Sequence, residues 1–550
     1  MSEPARTGPP TIDWMFLSAA LSLAILVPLL GIPVYFRTDD VHWLGWAATH
    51  PDPLSAFDPA ENLFGYYRPL PTLLWWVLFR FFGFQPLGYQ IVLAALGVGA
   101  MVPLARIGRR LAGGSWGALA AVGLFHAAFV SILYFYYWFS AITFALELLF
   151  LALALDALSD GKRIPGRPVH FAIFALLAGL AKQPALLVIP AVTITFLLLE
   201  SGSPRRRFLW GAGVAAVALL LMLVTPFTAQ RPEALGHLAG DERTRYLLDR
   251  LRFYAGVLLR GPAGMLGAAG ALVALASWRG ERRPSSLVLY GVLPGILAGV
   301  SLARLDPALA IGPWLALLVA ASVVVPASRP WLAGFLVPAA ALLLVDFHVS
   351  TYLIEPGLAL TPALLLWWRP LLEAPAVRIE SKLRRSALVI ACVAPLVSLL
   401  AAYLLHDRVH PIKAMRDVRK VFRETVEQVI DEAPAGTIIG YLSYEELGET
   451  YADIRRRPLE QRVERHKTMN GAQLGKFLRL RGRADLSVVP VAEAWAASDS
   501  AGAPVWLLAV TAAERAELAA RSGAREVAWT RQGSAEAALF RVGSPNSVKK

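Results

Sequence analysis

Tyr35-Phe36-Arg37-Thr38-Asp39-Asp40 follows directly on an uninterrupted apolar run over 14–34, and the polar connection it opens ends at Tyr66-Tyr67-Arg68-Pro69-Leu70. The apolar run is long enough to cross a bilayer core of about 30 Å as a helix. An acidic pair emerging from such a helix is costly unless it meets water or a partner. The connection over 35–70 is too long for a simple link between neighbouring helices. It reads as the floor of an active site at the membrane surface.

Composition makes the rest of the chain consistent with that start. Of 550 residues, 56% are hydrophobic and only 17% are charged. A soluble domain carries about 25% charged residues, so this is an integral membrane protein. Apolar runs of roughly 17–25 residues recur from Trp14 to Leu405, which selects helices over the short alternating strands of a barrel. The formal charge of +13 sits mostly in loops between apolar runs, where positive-inside topology and anionic lipid account for it, so no nucleic-acid partner is expected. The single cysteine, Cys392, lies in an apolar run and excludes an intrachain disulfide. Arg6 precedes the first span without an obvious small-residue cleavage site, so that helix reads as retained.

Spans are expected near 14–34, 86–104, 116–131, 139–158, 208–225, 262–278, 286–302, 308–326, 331–345, 358–371 and 387–405. Residues 71–82 are apolar but too short to cross and fit an interfacial helix. The run 170–200 is too long for one helix and carries Lys182-Gln183-Pro184 near its middle, so it reads as two short spans joined by a turn. This gives about 13 helices by apolar length. With the N-terminus cytoplasmic, the inner gaps hold Arg106, Arg109 and Arg110, then Lys162, Arg163 and Arg167, then Arg205 to Arg207, while the short outer gaps hold little beyond Lys182 and Arg304. An odd helix count places the C-terminal segment outside, with the Asp39–Asp40 loop. From His406 the composition turns polar. Strands are expected over 437–441, 486–491, 505–510, 526–530 and 537–542, with helices over 411–433 and 511–522. The fold class is therefore an all-α polytopic membrane domain over 1–405, with its first outer loop at 35–70, and an extracytoplasmic α/β domain over 406–550.

Each candidate group has a structural and a functional reading. Asp39 and Asp40 either cap a helix or serve as a general base or metal ligand facing outward. The same loop adds His42, His50, Asp52, Asp58 and Glu61, and Trp43 and Trp46 offer faces for a sugar ring. Arg68, beside Tyr67, either snorkels to headgroups or aims its planar fork at a phosphate. Lys182 is a polar turn residue or an ammonium for a lipid phosphate. Arg243 belongs with Arg250 and Arg252 to a solvated interfacial helix or to a cationic gate over an anionic lipid. Asp346, His348, Tyr352 and Glu355 form an outer turn that either is plain surface or joins the same cavity. Tyr134 to Trp138 suit an interfacial aromatic belt.

Taken together, the opening Phe36-Arg37-Thr38-Asp39-Asp40, the closing Tyr66-Tyr67-Arg68-Pro69-Leu70 and the turn Leu180-Ala181-Lys182-Gln183-Pro184 resemble the GT-C glycosyltransferases, the polyprenyl-phosphate-sugar-dependent membrane enzymes that include protein O-mannosyltransferases and bacterial aminoarabinose transferases. The resemblance covers the helical portion; the C-terminal domain contributes nothing to it. It implies a donor sugar on a prenyl phosphate, an extracytoplasmic acceptor that is a glycan, lipid or protein, and inverting displacement with Asp39 or Asp40 as base. It implies Arg68 and Lys182 at the lipid phosphate. Arg243 is a further candidate for the phosphate, and Tyr67, His348 and Trp43 are candidates for substrate contact. Gln183 stands where related chains often carry Glu. Some members use a divalent metal and others do not; with no second acid clearly placed, no metal site is assigned. The expected location is a bacterial inner membrane. A transporter or flippase, or a non-catalytic binder of lipid-linked glycans, is the alternative, to which the in-span carboxylates Glu147 and Asp156 lend thin support.

Overall fold

The computed structural model describes residues 35–36, 38–60, 63, 67–112, 114–128, 139–160, 165–199, 203–224, 241–281, 283–344, 353–373, 409–441, 471–501, 504–509, 512–520, 523–532 and 535–542. The spans expected over 14–34 and 387–405, the aromatic run 134–138 and the outer-turn residues Asp346, His348 and Tyr352 lie outside them.

Most of the described part of the connection over 35–70 is helical. Helix α1 covers Thr38–Thr49 with Asp39 and Asp40 in its first turn, where carboxylates complement the positive end of the helix dipole. A 3₁₀ turn, Pro53–Phe57, is capped by Asp52, whose carboxylate accepts from Leu54 N at 2.9 Å. Helix α2, Pro69–Phe82, begins on a proline at its first position and stops at Gly83, with φ 51°. Its 14 residues span about 21 Å, too short to cross the bilayer. Then follow α3 (Pro86–Ala112), α4 (Gly114–Ala128), α5 (Ile142–Leu158), α6 (Pro168–Ala181), α7 (Ala185–Leu199), α8 (Pro204–Val224), α9 (Asp241–Arg260) and α10 (Pro262–Trp278). The break between α6 and α7 falls at Lys182–Pro184, as expected from the proline. The polar run before Pro262 contains the 20-residue helix α9, in keeping with the reading that put Arg243, Arg250 and Arg252 on a helix. Arg250 is fully buried, whereas Asp249 and Arg252 are exposed.

Helix α11 (Pro284–Arg304) contains a π-helical turn at Val288–Val292 and is followed by α12 (Pro307–Val324), α13 (Arg329–Ala341) and α14 (Ile354–Glu373). Gly291, Gly295 and Gly299 recur every fourth residue along α11, and a Cβ built on any of them would fall on the backbone of Val273, Ala269 or Met265 in α10. The two backbones touch along that stripe, as small residues allow between membrane helices. Gly295→Val is expected to cost about 1–3 kcal/mol through overpacking, read as a lower Tm, whereas Gly312→Ala, which meets nothing nearby, is expected to leave Tm unchanged.

Among the described residues four helices are long and apolar enough to cross a membrane, Pro86–Ala112, Phe139–Leu158, Pro284–Arg304 and Pro307–Val324, and a fifth arises if Thr244–Arg260 and Ala263–Trp278 form one broken span. The count of about 13 from apolar length is not reached there: the spans expected over 14–34 and 387–405 lie outside the described residues, and α6 and α7 have 14 and 15 residues.

After α15 (Val409–Glu432) the chain forms a five-stranded sheet of order β2-β1-β3-β5-β4. β1 (Ile438–Tyr441) runs parallel to β2 (Ser487–Val489) and β3 (Val505–Ala509), and β5 (Ala535–Val542) is antiparallel to β3 and to β4 (Ala524–Gln532). Helices α16 (Gly471–Leu480), α17 (Val491–Ala501) and α18 (Ala512–Ala520) complete an α/β unit. All five expected strands occur within a few residues of their places.

This unit packs on residues just before α1 and just after α2. Phe477 of α16 packs edge-on to Tyr35 and Phe84, each with ring centroids 5.8 Å apart. Tyr35 Oη donates to Glu427 Oε1 at 3.0 Å, and Arg481 grips the same carboxylate with two bonds of 2.7 and 2.8 Å. Burial alone would raise the Glu427 carboxyl, but the hydrogen-bonded Arg481 fork outweighs it and holds the group below the ordinary carboxylate value. A depressed carboxylate stabilises the fold above its unfolded pKa and loses that contribution as pH falls through the folded value. The dock is therefore expected to loosen on acidification below the ordinary carboxylate range. Glu427→Ala is expected to remove about 2 kcal/mol at neutral pH and to abolish the acid-dependent step, with proteolysis between the two units as the readout.

Candidate active site at one end of the helix bundle

The starts of α1, α2, α5, α7 and α14 and the end of α6 meet at this site. Asp40 is fully buried on α1, and its Oδ1 accepts from Ser140 N at 2.7 Å and Ser140 Oγ at 2.6 Å. Ser140 belongs to the 3₁₀ turn Phe139–Ala141 that opens α5. One turn further along α5 is Phe144, whose ring centroid lies 3.2 Å from Lys182 Nζ. Next on the same helix is Glu147, whose Oε1 accepts from Ala185 N at 2.7 Å and whose Oε2 lies 3.8 Å from Lys182 Nζ. Lys182 donates to Glu355 in the first turn of α14, and all three charged groups are buried. Arg68, which precedes α2, sends Nε and Nη2 to Gln183 Oε1 at 3.2 and 3.1 Å. Ser140 and Glu147 are separated by about 10 Å of helix rise, so the first-loop acids, the Lys182 ammonium and the Arg68 guanidinium occupy one small region.

Local chemistry explains the arrangement. Pro184 cannot donate a backbone hydrogen bond, so the α6–α7 turn opens, and Lys182 adopts an extended backbone with φ −165° and ψ 151°. The turn exposes the amide of Ala185 at the start of α7, and Glu147 caps it. Gln183 matters for charge. A glutamate there would pair with Arg68 and neutralise it, whereas the glutamine amide positions the guanidinium without quenching it.

Asp39 shares the first turn with Asp40 but is only part-buried. Tyr67 Oη donates to Phe57 O at 3.1 Å, and burial, with the nearby Asp58 carboxylate, raises its phenol above the ordinary value. His42 is lowered by burial and then by the Lys476 cation of α16, so it is neutral at pH 7. Trp43 is 2% exposed and stacks on Trp75 at 6.1 Å. That is a packing position and offers no face to a sugar. Arg243 lies within α9, with a side chain outside the described residues, and His348 is outside them altogether. The structure thus brings Asp40 to the end of α5 where Lys182 and Arg68 lie; Asp39 is next to it in the same turn of α1 and close to His42. It adds Glu147, which sequence reading had left apart, and Glu355, one of the outer-turn residues read as candidates for the same cavity. Their signal was a carboxylate inside an apolar run, which is costly without a cation. Among the described residues no three His, Cys, Asp or Glu side chains gather where they could hold a metal ion.

A second charged cluster closes the other end of α5. Asp156, 1% exposed, pairs with Arg110 at 2.6 Å and Arg167 at 2.8 Å, and Arg106 lies 3.7 Å away. Glu147 and Asp156 lie on the same helix α5, with about 14 Å of helix rise between the two clusters. Asp156, the second in-span carboxylate, is thereby accounted for as an anchor for three arginines.

No protein-family model matches this chain, and no curated protein matches it. Among solved structures, ArnT from Cupriavidus metallidurans in the apo state is similar at 15% identity with a TM-score of 0.42, over 98% of this chain and 99% of that one. ArnT from the same organism bound to undecaprenyl phosphate is similar at 15% identity with a TM-score of 0.37, over 97% and 99% of the two chains.

Proposed function

We propose that this protein is a membrane glycosyltransferase that moves a sugar from a polyprenyl-phosphate donor to an extracytoplasmic acceptor. One observation carries the reading: the first-loop acids and two fixed cations meet at a single end of the helix bundle, through Asp40 on Ser140, Lys182 beside Phe144 and Arg68 on Gln183. A departing lipid phosphate gains negative charge, and pre-placed cations stabilise it. An acceptor hydroxyl needs a carboxylate to take its proton. Asp39 is the proposed base because it is part-exposed, while Asp40 is committed to the start of α5. Arg68 and Lys182 hold the lipid phosphate. Arg243 on α9 and His348 are proposed as further contacts to the phosphate and the sugar. The site end faces outward, because Arg106, Arg110 and Arg167 cluster at the opposite end, where positive-inside topology puts the cytoplasm. This gives a multi-pass inner-membrane protein with its C-terminal α/β unit outside.

The test is consumption of radiolabelled polyprenyl-phosphate sugars by membranes carrying the protein. One labelled donor is expected to be consumed, and Arg68→Lys, which replaces a two-pronged fork with a point charge, is expected to raise KM for that donor about tenfold, the loss of one charge-assisted hydrogen bond. Failure to consume any lipid-linked sugar, or an unchanged KM in Arg68→Lys, would count against the reading.

A further inference from the structure

Lys182 is not idle in this structure. It is 1% exposed, donates to Glu355, lies 3.8 Å from Glu147 and rests against the face of Phe144. The two carboxylates are not equivalent. Glu147 is committed to the backbone, since its Oε1 caps Ala185 N at 2.7 Å, although its Oε2, like that of Glu355, has no hydrogen-bond partner among the described residues. Glu355 directs one oxygen at Lys182, and its Oε2 is buried with no hydrogen-bond partner among the described residues. Arg68, held on Gln183, is a second cation beside Lys182. Among the described residues the Lys182 ammonium thus already faces two carboxylates, Glu147 and Glu355. A phosphate entering this cluster meets an ammonium that is already matched by carboxylate charge. It can use the ammonium fully only if one carboxylate yields, and the carboxylate with no structural commitment is Glu355.

We infer that Glu355 is a releasable counter-ion that occupies the Lys182 ammonium until an anionic lipid phosphate displaces it. Glu355 is then a positioning residue, acting through Lys182. The identity of the anion rests on the function proposed above; the counter-ion role does not. Its consequence runs against the usual effect of breaking an ion pair: removing the negative charge at 355 strengthens anion binding. A purely structural salt bridge predicts the reverse, because losing it loosens the site for every ligand.

The experiment measures binding of undecaprenyl phosphate and of neutral undecaprenol to the full-length protein in nanodiscs, together with Tm. Glu355→Gln keeps the size of the side chain and removes its charge. It is expected to bind undecaprenyl phosphate about tenfold tighter, the effect of one unmatched charge at a part-screened site, with undecaprenol affinity unchanged. The gain is expected to vanish in Lys182→Met/Glu355→Gln. Unchanged or weaker phosphate binding by a folded Glu355→Gln protein would overturn the inference. If that variant does not fold, Glu355→Asp withdraws the carboxylate by one methylene and is expected to give a smaller gain; no gain overturns the inference equally. If wild type and variants all fail to prefer the phosphate over undecaprenol, the lipid-phosphate reading falls, and acetylation of Lys182 by acetic anhydride, followed by mass spectrometry, decides the counter-ion role. Faster acetylation of Lys182 in Glu355→Gln or Glu355→Asp than in wild type supports it, and equal rates refute it.

Discussion

Asp39→Asn is expected to lower sugar transfer by about 10²–10⁴-fold, the usual contribution of a general base, while leaving polyprenyl-phosphate binding within about twofold of wild type. The substitution removes a proton acceptor but keeps the shape of a part-exposed side chain, so Tm should hold. Asp40 gives a different pattern. Its buried Oδ1 takes two hydrogen bonds from Ser140, and Asp40→Ala would leave a buried N–H and a hydroxyl without their acceptor. A stability loss of about 1–3 kcal/mol is expected, and transfer should fall with the folded fraction. Calorimetry and a donor-consumption assay on the two variants separate the roles. Full transfer in Asp39→Asn, Asp40→Asn and the double variant would remove the catalytic assignment altogether.

Lys182→Met should be the most destabilising single substitution at the site. It leaves Glu147 and Glu355 buried beside each other without their cation, and breaking a buried pair in this way costs about 3–5 kcal/mol. Replacing the whole cluster by neutral groups of similar volume is often nearly free, so Lys182→Met/Glu147→Gln/Glu355→Gln should recover most of the lost Tm. It should not recover donor binding, because the ammonium is gone. A wild-type Tm in Lys182→Met would mean that the carboxylates do not depend on it. Recovery of donor binding in the triple variant would mean that Lys182 has no part in holding the phosphate.

Local rules made some elements readable in the sequence. The break between α6 and α7 followed from Pro184 and from a run too long for one helix. The strands of the C-terminal unit followed from short apolar runs of β-branched and aromatic residues between turn signals. Helix α9 carries Arg243, Arg250 and Arg252, the three arginines read together as an interfacial helix or a gate, but the polar composition of the segment hid its length. Helix α14 was read four residues short at its start, since Glu355 and Pro356 resemble a loop. Glu355 was a candidate for the cavity, but its pairing was not legible, because its partner Lys182 is 173 residues away. No local pattern carries a pairing over that distance. The cost of a buried charge does imply some partner for Glu147, but it does not say which. Trp43 shows the converse limit: an aromatic residue in a candidate loop suits a sugar platform equally well as a core, and burial against Trp75 decided for the core.

The claim that everything else depends on is that the lipid phosphate lands between Arg68 and Lys182. The most direct measurement is photolabelling of the intact protein with a polyprenyl phosphate bearing a diazirine next to the phosphate, followed by peptide mapping. Label is expected on residues around Arg68 and around the Lys182–Pro184 turn, and it should be competed away by unlabelled polyprenyl phosphate. Label confined to the opposite end of α5, around Arg106, Arg110 and Arg167, or spread without competition, would contradict the account.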